Sequence, residues 1–521
     1  MRNRRAGAVL LLAAATACQI GCSLILGLKD RTDLGTGGGG GGAEGDGGTP
    51  AACIPRESSS PIDDACGIFV SSSLGVDGVG ASSKAHPFKT LAAATLAAGK
   101  AKKPVYACAE TFTEALKVTS EVAIYGGLDC KKAWAYDGTT KSKLTALEDD
   151  IPLTLTQAAT SVQLFDFTVQ AADAVLDGGS SIAVVANQVT AAFTRCDLIA
   201  GNGKKGLEGT TPTESVGPNS SIDPAIRGND GVNACTSNTK SLGGNVKDNM
   251  FCPMSATNLG ALGGNGGAGE PTKGGDGYAI PANEQTALGG KGQTAADPSW
   301  DCVLNSGSGK GGTNGTPGKD GAGATGMNAL GTIETSGYSG VAGGEGMSGQ
   351  LGQGGGGGGG AKGKAGCAGA SGGGGGAGGC GGHGGTGGKA GGASFALLSL
   401  GATQSFEYVT VLLGNGGAGG DGGEPQFGGT GGTQGYAGLG NPTVPSTPDA
   451  CDGGHGGPGG KGGHGGGGRG GHAIGIAAIG TDMPDVKGIT FLKKGTPGLG
   501  GKGGPMNDGD PGVQANVQLF P

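Results

Sequence analysis

The sequence predicts an all-β chain: a parallel β-helix solenoid with an N-terminal capping helix, interrupted by long glycine-rich segments. Three observations predict it. Short β-rich runs recur, an apolar pattern repeats 29 residues on, and glycine content switches abruptly along the chain, supplying 126 of 521 residues while aromatics supply 4 %.

The first residues carry an export signature. Arg2, Arg4 and Arg5 form a positive start, and Ala6 to Ala17 is an apolar run too short to span a bilayer as a helix. It leads into Ala17-Cys18-Gln19-Ile20-Gly21-Cys22, which resembles a bacterial lipobox, where a cysteine thiol is acylated and becomes the mature N-terminus. Gly21 supplies the small residue before the cleavage point, so Cys22 is the expected lipidation site, with Cys18 the alternative. Residues 1–21 then read as a lipoprotein signal peptide. Residues 22–50, with Gly37 to Gly42, read as a flexible tether. No other stretch is apolar enough to cross a membrane. The expected location is the cell envelope, as an outer-membrane lipoprotein facing the periplasm or the cell surface and held by its lipid.

Residues 51–200 read as a cap followed by the first coils. Lys89 to Ala98 is rich in Ala and Leu, follows Pro87, and is expected to be a helix stopped by Gly99. Beyond it come runs of two to four β-rich residues, among them Val122 to Tyr125, Leu153 to Thr156, Phe167 to Val169 and Ile182 to Val185. An offset of 29 aligns Leu153-Thr-Leu-Thr with Ile182-Ala-Val-Val, Leu164 with Phe193, Phe167 with Cys196, and Val169 with Leu198. At offset 213 Ser394-Phe-Ala-Leu-Leu repeats Ser181-Ile-Ala-Val-Val, and Phe406, Val409 and Val411 repeat Phe193, Cys196 and Leu198. Residues 393–414 are therefore a further rung. Residues 471–521, with Ile474, Ile476, Val486, Ile489 and Phe491, are a last rung and tail.

Residues 201–392 and 415–470 are the glycine-rich insertions, both placed just after a Gly-Asn-Gly. In 351–392 glycine fills 26 of 42 positions, mostly as Gly-Gly-X. Two readings stand: disorder, since such a chain has few side chains to bury, or extended polyproline-II-like strands packed side by side. Scarce proline and a slipping period argue against collagen.

Thirteen cysteines in an exported chain predict disulfides. Cys53–Cys66 would close the cap and Cys108–Cys130 the first coil. Cys235–Cys252, Cys367–Cys380 and Cys302–Cys451 are pairings from proximity alone. Cys196, aligned with Phe167 and Val409, is the expected buried free thiol. A formal charge of −7 argues against nucleic acid as a partner.

Ile68-Phe-Val-Ser-Ser-Ser-Leu-Gly-Val-Asp-Gly, followed by Lys84-Ala-His-Pro-Phe-Lys-Thr-Leu-Ala-Ala-Ala94, resembles the opening of pectin-lyase-like right-handed β-helix proteins. The insertions resemble, in composition only, the Asn-Gly-Gly-Ala-Gly-Gly repeats of PE-PGRS proteins, without a PE domain before them. The first resemblance implies a fold and leaves activity open. Its enzyme members use clustered carboxylates or a basic residue on a coil face. The counterparts here, among outward positions Gln163, Asp166, Thr168, Thr194, Arg195 and Asp197, are Asp166, Arg195 and Asp197. They read as a weak surface cluster, more simply an ion pair between rungs than an acid–base set.

No catalytic residues, no metal site and no cofactor are expected. Gly369-Ala-Ser-Gly-Gly373 fits a nucleophile-elbow pattern by chance. His383, His455, His464 and His472 read as solvated loop residues. Asp276, Asp421 and Asp452 beside Gly-Gly leave calcium as the one ion to weigh, although the proper nonapeptide is missing. The function expected is a lipid-anchored envelope protein with a structural, adhesive or surface-presentation role and no catalysis, meeting glycan, extracellular matrix or another cell surface. A polysaccharide-binding protein or degenerate polysaccharide lyase or hydrolase on the same scaffold is the alternative, and a passive envelope spacer is the third.

Overall fold

The computed structural model describes residues 50–521 apart from 59–60, 137, 253–286, 295–299, 301, 303–310, 325, 327–328 and 445. The signal peptide, Cys18, Cys22, most of the tether and Asp276 lie outside the described residues. Residues 50–521 form one compact unit.

The chain is mostly β, and apart from the antiparallel strand Ala135–Tyr136 and the antiparallel hairpin Thr332–Ser339 its described strands assemble into three parallel sheets visited in rotation. The first sheet runs Ile68–Val70, Val105–Cys108, Val122–Asp129, Ser161–Phe165, Thr190–Thr194, Thr403–Glu407. The second runs Thr111–Thr113, Ser142–Thr145, Phe167–Gln170, Asp197–Ile199, Val409–Leu412, Ile489–Lys493. The third runs Leu116–Val118, Leu153–Leu155, Ser181–Asn187, Ser394–Leu400, Ala473–Ile479, Gln514–Phe520. Parallel pairing requires a crossover between partners, and here each crossover passes through the other sheets.

The register bears out the repeat where it matters most. Phe193 lies opposite both Leu164 and Phe406, and Leu198 opposite both Val169 and Val411. Their inward side chains build one core that also holds Phe167, Leu397 and Ile476. Alternate residues thus meet their equivalents from the neighbouring turn, and the Phe193 and Phe406 rings stack at 5.7 Å.

The third sheet departs from the expected alignment. Val184, not Ile182, faces Leu153, an offset of 31. The 3-10 turn Gln157–Ala159 adds two residues between Leu155 and Val162 that the next turn lacks between Ala186 and Ala191. The offset therefore returns to 29 in the first sheet.

Where the first sheet passes to the second, one residue per turn adopts a left-handed conformation: Asp166, Arg195, Tyr408 and finally Gly488, with φ between 53° and 82°. Each such corner costs an L-residue about 1 kcal/mol, which the packing of the strands on either side offsets.

The capping helix spans Leu91–Ala101, so it starts later than expected and runs through Gly99. Gly99 is a point of close approach instead of a stop, because an added Cβ would lie well under 3.0 Å from Ser120. The stop is Lys102, left-handed at φ 50°. Thr90 caps the start by accepting from the Ala93 N–H, and the Glu114 carboxylate accepts from Leu91 and Ala92. Asp77 in turn accepts from Lys89 and Thr90, and Ser71, Ser72 and Ser73 all donate to Glu110. The polar residues of the opening motif are thereby spent on holding the cap. Its buried face, Leu91, Ala94 and Ala98, closes the core at that end.

The glycine-rich segments leave the sheets at one station, between the second and the third. Besides 201–392 and 415–470 there is a third, residues 495–512, which sequence reading had merged with the tail.

Candidate functional site

Over their described residues the insertions are ordered, and the polyproline-II-like reading is the one observed there. Consecutive hydrogen bonds from one segment to a given neighbour recur every third residue, the period of a threefold extended helix. N–H groups of Gly376, Gly379 and Gly382 donate to the carbonyls of Gly454, Gly457 and Gly460 at 2.9–3.0 Å, a parallel pairing. The carbonyls of the same three accept from Gly355, Gly352 and Gly349 at 2.8–2.9 Å, an antiparallel pairing. Gly432 and Gly429 donate to Ala377 and Cys380, and accept from Gly456 and Gly459, closing a triangle of segments. A strand in a sheet has neighbours on two sides only. A threefold segment has them all round, so the result is a slab several segments thick.

The Gly-Gly-X pattern follows from that packing. From Ser371 to Lys389 the residues other than glycine fall on every third position: Ser371, Ala377, Cys380, His383, Thr386, Lys389. At the two remaining positions a neighbouring backbone leaves no room. A Cβ on Gly385 would lie well under 3.0 Å from the carbonyl oxygen of Gly423, and one on Gly384 equally close to that of Gly346.

The X positions also solve a hydrogen-bonding problem. Their own N–H groups point away from a backbone partner in the outer segments, and side-chain amides or carboxylates of a parallel neighbour accept them instead. Asp230 takes the Tyr436 N–H and Asn233 that of Leu439, both at 2.8 Å; Asn314 takes His455 and Asp320 takes Lys461. Asn202, Asn415 and Thr496 form one such ladder. The sequence signal for this is an Asn or Asp, usually followed by glycine; at Asp421 and Asp452, where Gly-Gly follows, the same signal resembles a calcium pattern. Asp421 accepts from the Lys502 N–H and Asp452 from that of Ala437, both at 2.6 Å. These carboxylates serve the backbone, and no cluster of three or more metal-ligating groups occurs among the described residues.

The slab is also cross-linked, differently from the proximity pairing. Cys235 pairs with Cys367 and Cys252 with Cys380, while Cys302–Cys451, Cys53–Cys66 and Cys108–Cys130 are as expected. Segments far apart in sequence lie side by side, so the nearest cysteine along the chain is not the nearest in space. Cys196 is the free thiol among the described residues; it is fully buried, and burial pushes it up to about 12.

The expected surface cluster is more buried and more saturated than its sequence suggested. Asp166 and Thr194, taken as outward, are buried. Both Asp166 oxygens are engaged: Arg195 donates from Nε and Nη2 at 2.8 Å and the Tyr136 hydroxyl at 3.1 Å. Asp197 accepts from Lys141 at 2.7 Å and Thr168 at 3.0 Å. The bond to Asp166 pushes the Arg195 guanidinium further up, outweighing burial. Such a network locks the corner between the first and second sheets, with every oxygen of both carboxylates already accepting a hydrogen bond.

The four histidines do not converge. His383 and His455 are exposed, and His464 sits 3.3 Å from Glu424. His472 is fully buried among Tyr338, Phe395 and Phe520, contrary to its reading as a solvated loop residue. Its Nδ1 accepts the Val513 N–H at 2.9 Å, so the ring is neutral and Nε2 donates to the Leu330 carbonyl at 2.8 Å. It ties the residues leading into the strand Gln514–Phe520 and into the hairpin Thr332–Ser339 to the start of the strand Ala473–Ile479.

Burial pushes the His472 pKa down; the Leu330 carbonyl opposes this and the Arg469 charge adds to it. The unfolded imidazole takes a proton below about pH 6.5, whereas the folded one resists it. Stability is therefore fullest above that pH and falls as pH drops toward the depressed folded value. Urea unfolding at about pH 7.5 and about pH 5 is expected to show a smaller loss for His472→Gln than for the wild type. An equal loss in both would remove His472 from the account.

Comparison with family models, curated proteins and solved structures finds no match for this chain.

Proposed function

We propose that this chain is a lipid-anchored cell-envelope protein with a structural and adhesive role and no catalysis. In this reading the three sheets are the faces of a right-handed, pectin-lyase-like parallel β-helix, the hand that crossovers between parallel strands almost always take. The coil acts as a spine, Cys22 carries the lipid, and the tether lifts the spine off an outer membrane.

The observation that carries the reading is the hydrogen-bonded glycine slab. It has almost no hydrophobic interior, yet its backbone is rigidly paired over three insertions from one side of the spine. That is an expensive way to make anything but a broad, stiff surface. In the outer segments, as at Gly203-Lys204-Lys205 and Gly206-Leu207-Glu208, two exposed side chains follow each glycine, and each position recurs about 9 Å along a segment. The locked carboxylates at Asp166 and Asp197 weigh against the lyase or hydrolase alternative.

One feature favours glycan as what the surface meets. Phe427 and Tyr436 lie on the same face of one segment, 75 % and 59 % exposed, with Lys461 and Arg227 at 5.0 and 4.8 Å from the ring centroids. Aromatic faces flanked by polar groups suit sugar rings.

Two measurements test the proposal. Labelled palmitate is expected to enter the wild type and not Cys22→Ala. Residues 50–521 are expected to retain on immobilised cell-wall glycan without shortening it, and Phe427→Ala/Tyr436→Ala to elute early. Reducing ends released from the glycan would sink the non-catalytic reading, and absence of retention the adhesive one.

A further inference from the structure

We propose that two copies of this chain associate through the open ends of their strand stacks, with strand Gln514–Phe520 pairing antiparallel to its own counterpart. The proposal rests on the reading of the three sheets as faces of one coil.

The two ends of the stack differ. The helix Leu91–Ala101 closes the first. At the other, the sheets finish on Thr403–Glu407, Ile489–Lys493 and Gln514–Phe520, with no further strand paired beyond them among the described residues. The inward residues of this last row, Phe406, Ile489, Phe491 and Val517, pack on the core but are only half-buried. Their equivalents one turn earlier, Phe193, Val409, Val411 and Ile476, are 1 % exposed. Unpaired backbone beside an unfinished apolar row is a template for strand addition. Strand Gln514–Phe520 contains none of the lysines or prolines that usually blunt such an edge.

A second copy fits this end on two counts. Centred on Val517, antiparallel self-pairing sets Val517 against itself, Ala515 against Leu519, and Asn516 against Gln518. Over Ala515 to Leu519 apolar meets apolar and amide meets amide, and the outermost pair sets Gln514 against Phe520. The charges agree as well. A two-fold axis through the third sheet lays the second-sheet side of each copy on the first-sheet side of the other. The second-sheet side exposes Lys493 and Lys494; the first-sheet side exposes Glu407, Asp482 and Asp485, with Lys487 paired to Asp485, and stays net acidic. Basic therefore meets acidic twice in the same dimer.

Sedimentation equilibrium of residues 50–521 is expected to show monomer and dimer exchanging. Lys493→Glu/Lys494→Glu, on exposed side chains, is expected to weaken the dimer by about tenfold or more, and so is Asp482→Lys/Asp485→Lys. Mixing the two variants is expected to restore it, since each reversed side then meets its complement. A wild type that stays monomeric, charge variants that dimerise like the wild type, or a mixture that remains weak would each overturn the proposal. Hydrogen exchange at Val184 to Ala186 and Leu397 to Ser399 separates this from the coil itself. Slow exchange there in a monomer sinks the dimer alone, whereas fast exchange sinks the coil reading with it.

Discussion

Gly385→Ala is expected to destabilise the glycine slab by about 3 kcal/mol, while His383→Ala, two residues away, costs about 0.5 kcal/mol or less. Both are small changes in the same segment, and helix or strand propensity does not distinguish them. The difference is where the side chain points. At Gly385 the added methyl overlaps the carbonyl of Gly423, a backbone atom fixed by its own neighbours. At His383 the side chain is exposed, and removing it disturbs no backbone pairing.

One effect works the other way. Alanine restricts the unfolded chain and so favours folding by about 0.4–1 kcal/mol at a compatible position. The overlap outweighs this, because relief requires prising two segments apart along a run of hydrogen bonds. Amide exchange reads the result locally: protection at Gly382, Gly385 and Gly388 is expected to fall in Gly385→Ala and to stay in His383→Ala. Equal protection in the two variants would mean that the segments are not packed as described.

That contrast also explains what the sequence could reveal. The strand register was legible at Leu164, Phe193 and Phe406 because strands stacked in one parallel sheet repeat their inward residues at a fixed spacing. It was misjudged at Ile182 because a short 3-10 turn, invisible in an apolar pattern, absorbs two residues. Asp166 was read as outward from strand alternation, but the corner turns it back over the rung, where Arg195 and Tyr136 hold it. For the insertions, Gly-Gly-X was plain in the sequence and the order was not. Order depends on partners up to about two hundred residues away, as between Gly206 and Ala418, and no local feature names them. The Asn and Asp residues at X positions were the available clue. They pair with backbone N–H groups, a role that short polar side chains fill throughout proteins.

Removing the Cys252–Cys380 bridge is expected to cost the slab about 4 kcal/mol. Taken alone, a bridge across 128 residues restricts the unfolded chain by about 5 kcal/mol. With Cys235–Cys367 already closed, the added ring contains only about 30 residues, and the chain-entropy argument gives the smaller figure. The slab depends on such bridges to an unusual degree, since it buries little apolar surface to oppose the entropy of a glycine chain. The core between the parallel sheets, with Phe167, Phe193, Leu397 and their neighbours, does not share that dependence. Cys252→Ala/Cys380→Ala is therefore expected to expose 343–391 to protease while strands Thr190–Thr194 and Ser394–Leu400 remain protected. Non-reducing peptide mapping of the wild type decides the premise first: a peptide joining Cys235 to Cys252, or Cys367 to Cys380, would contradict the cross-links between segments, and with them the expected loss.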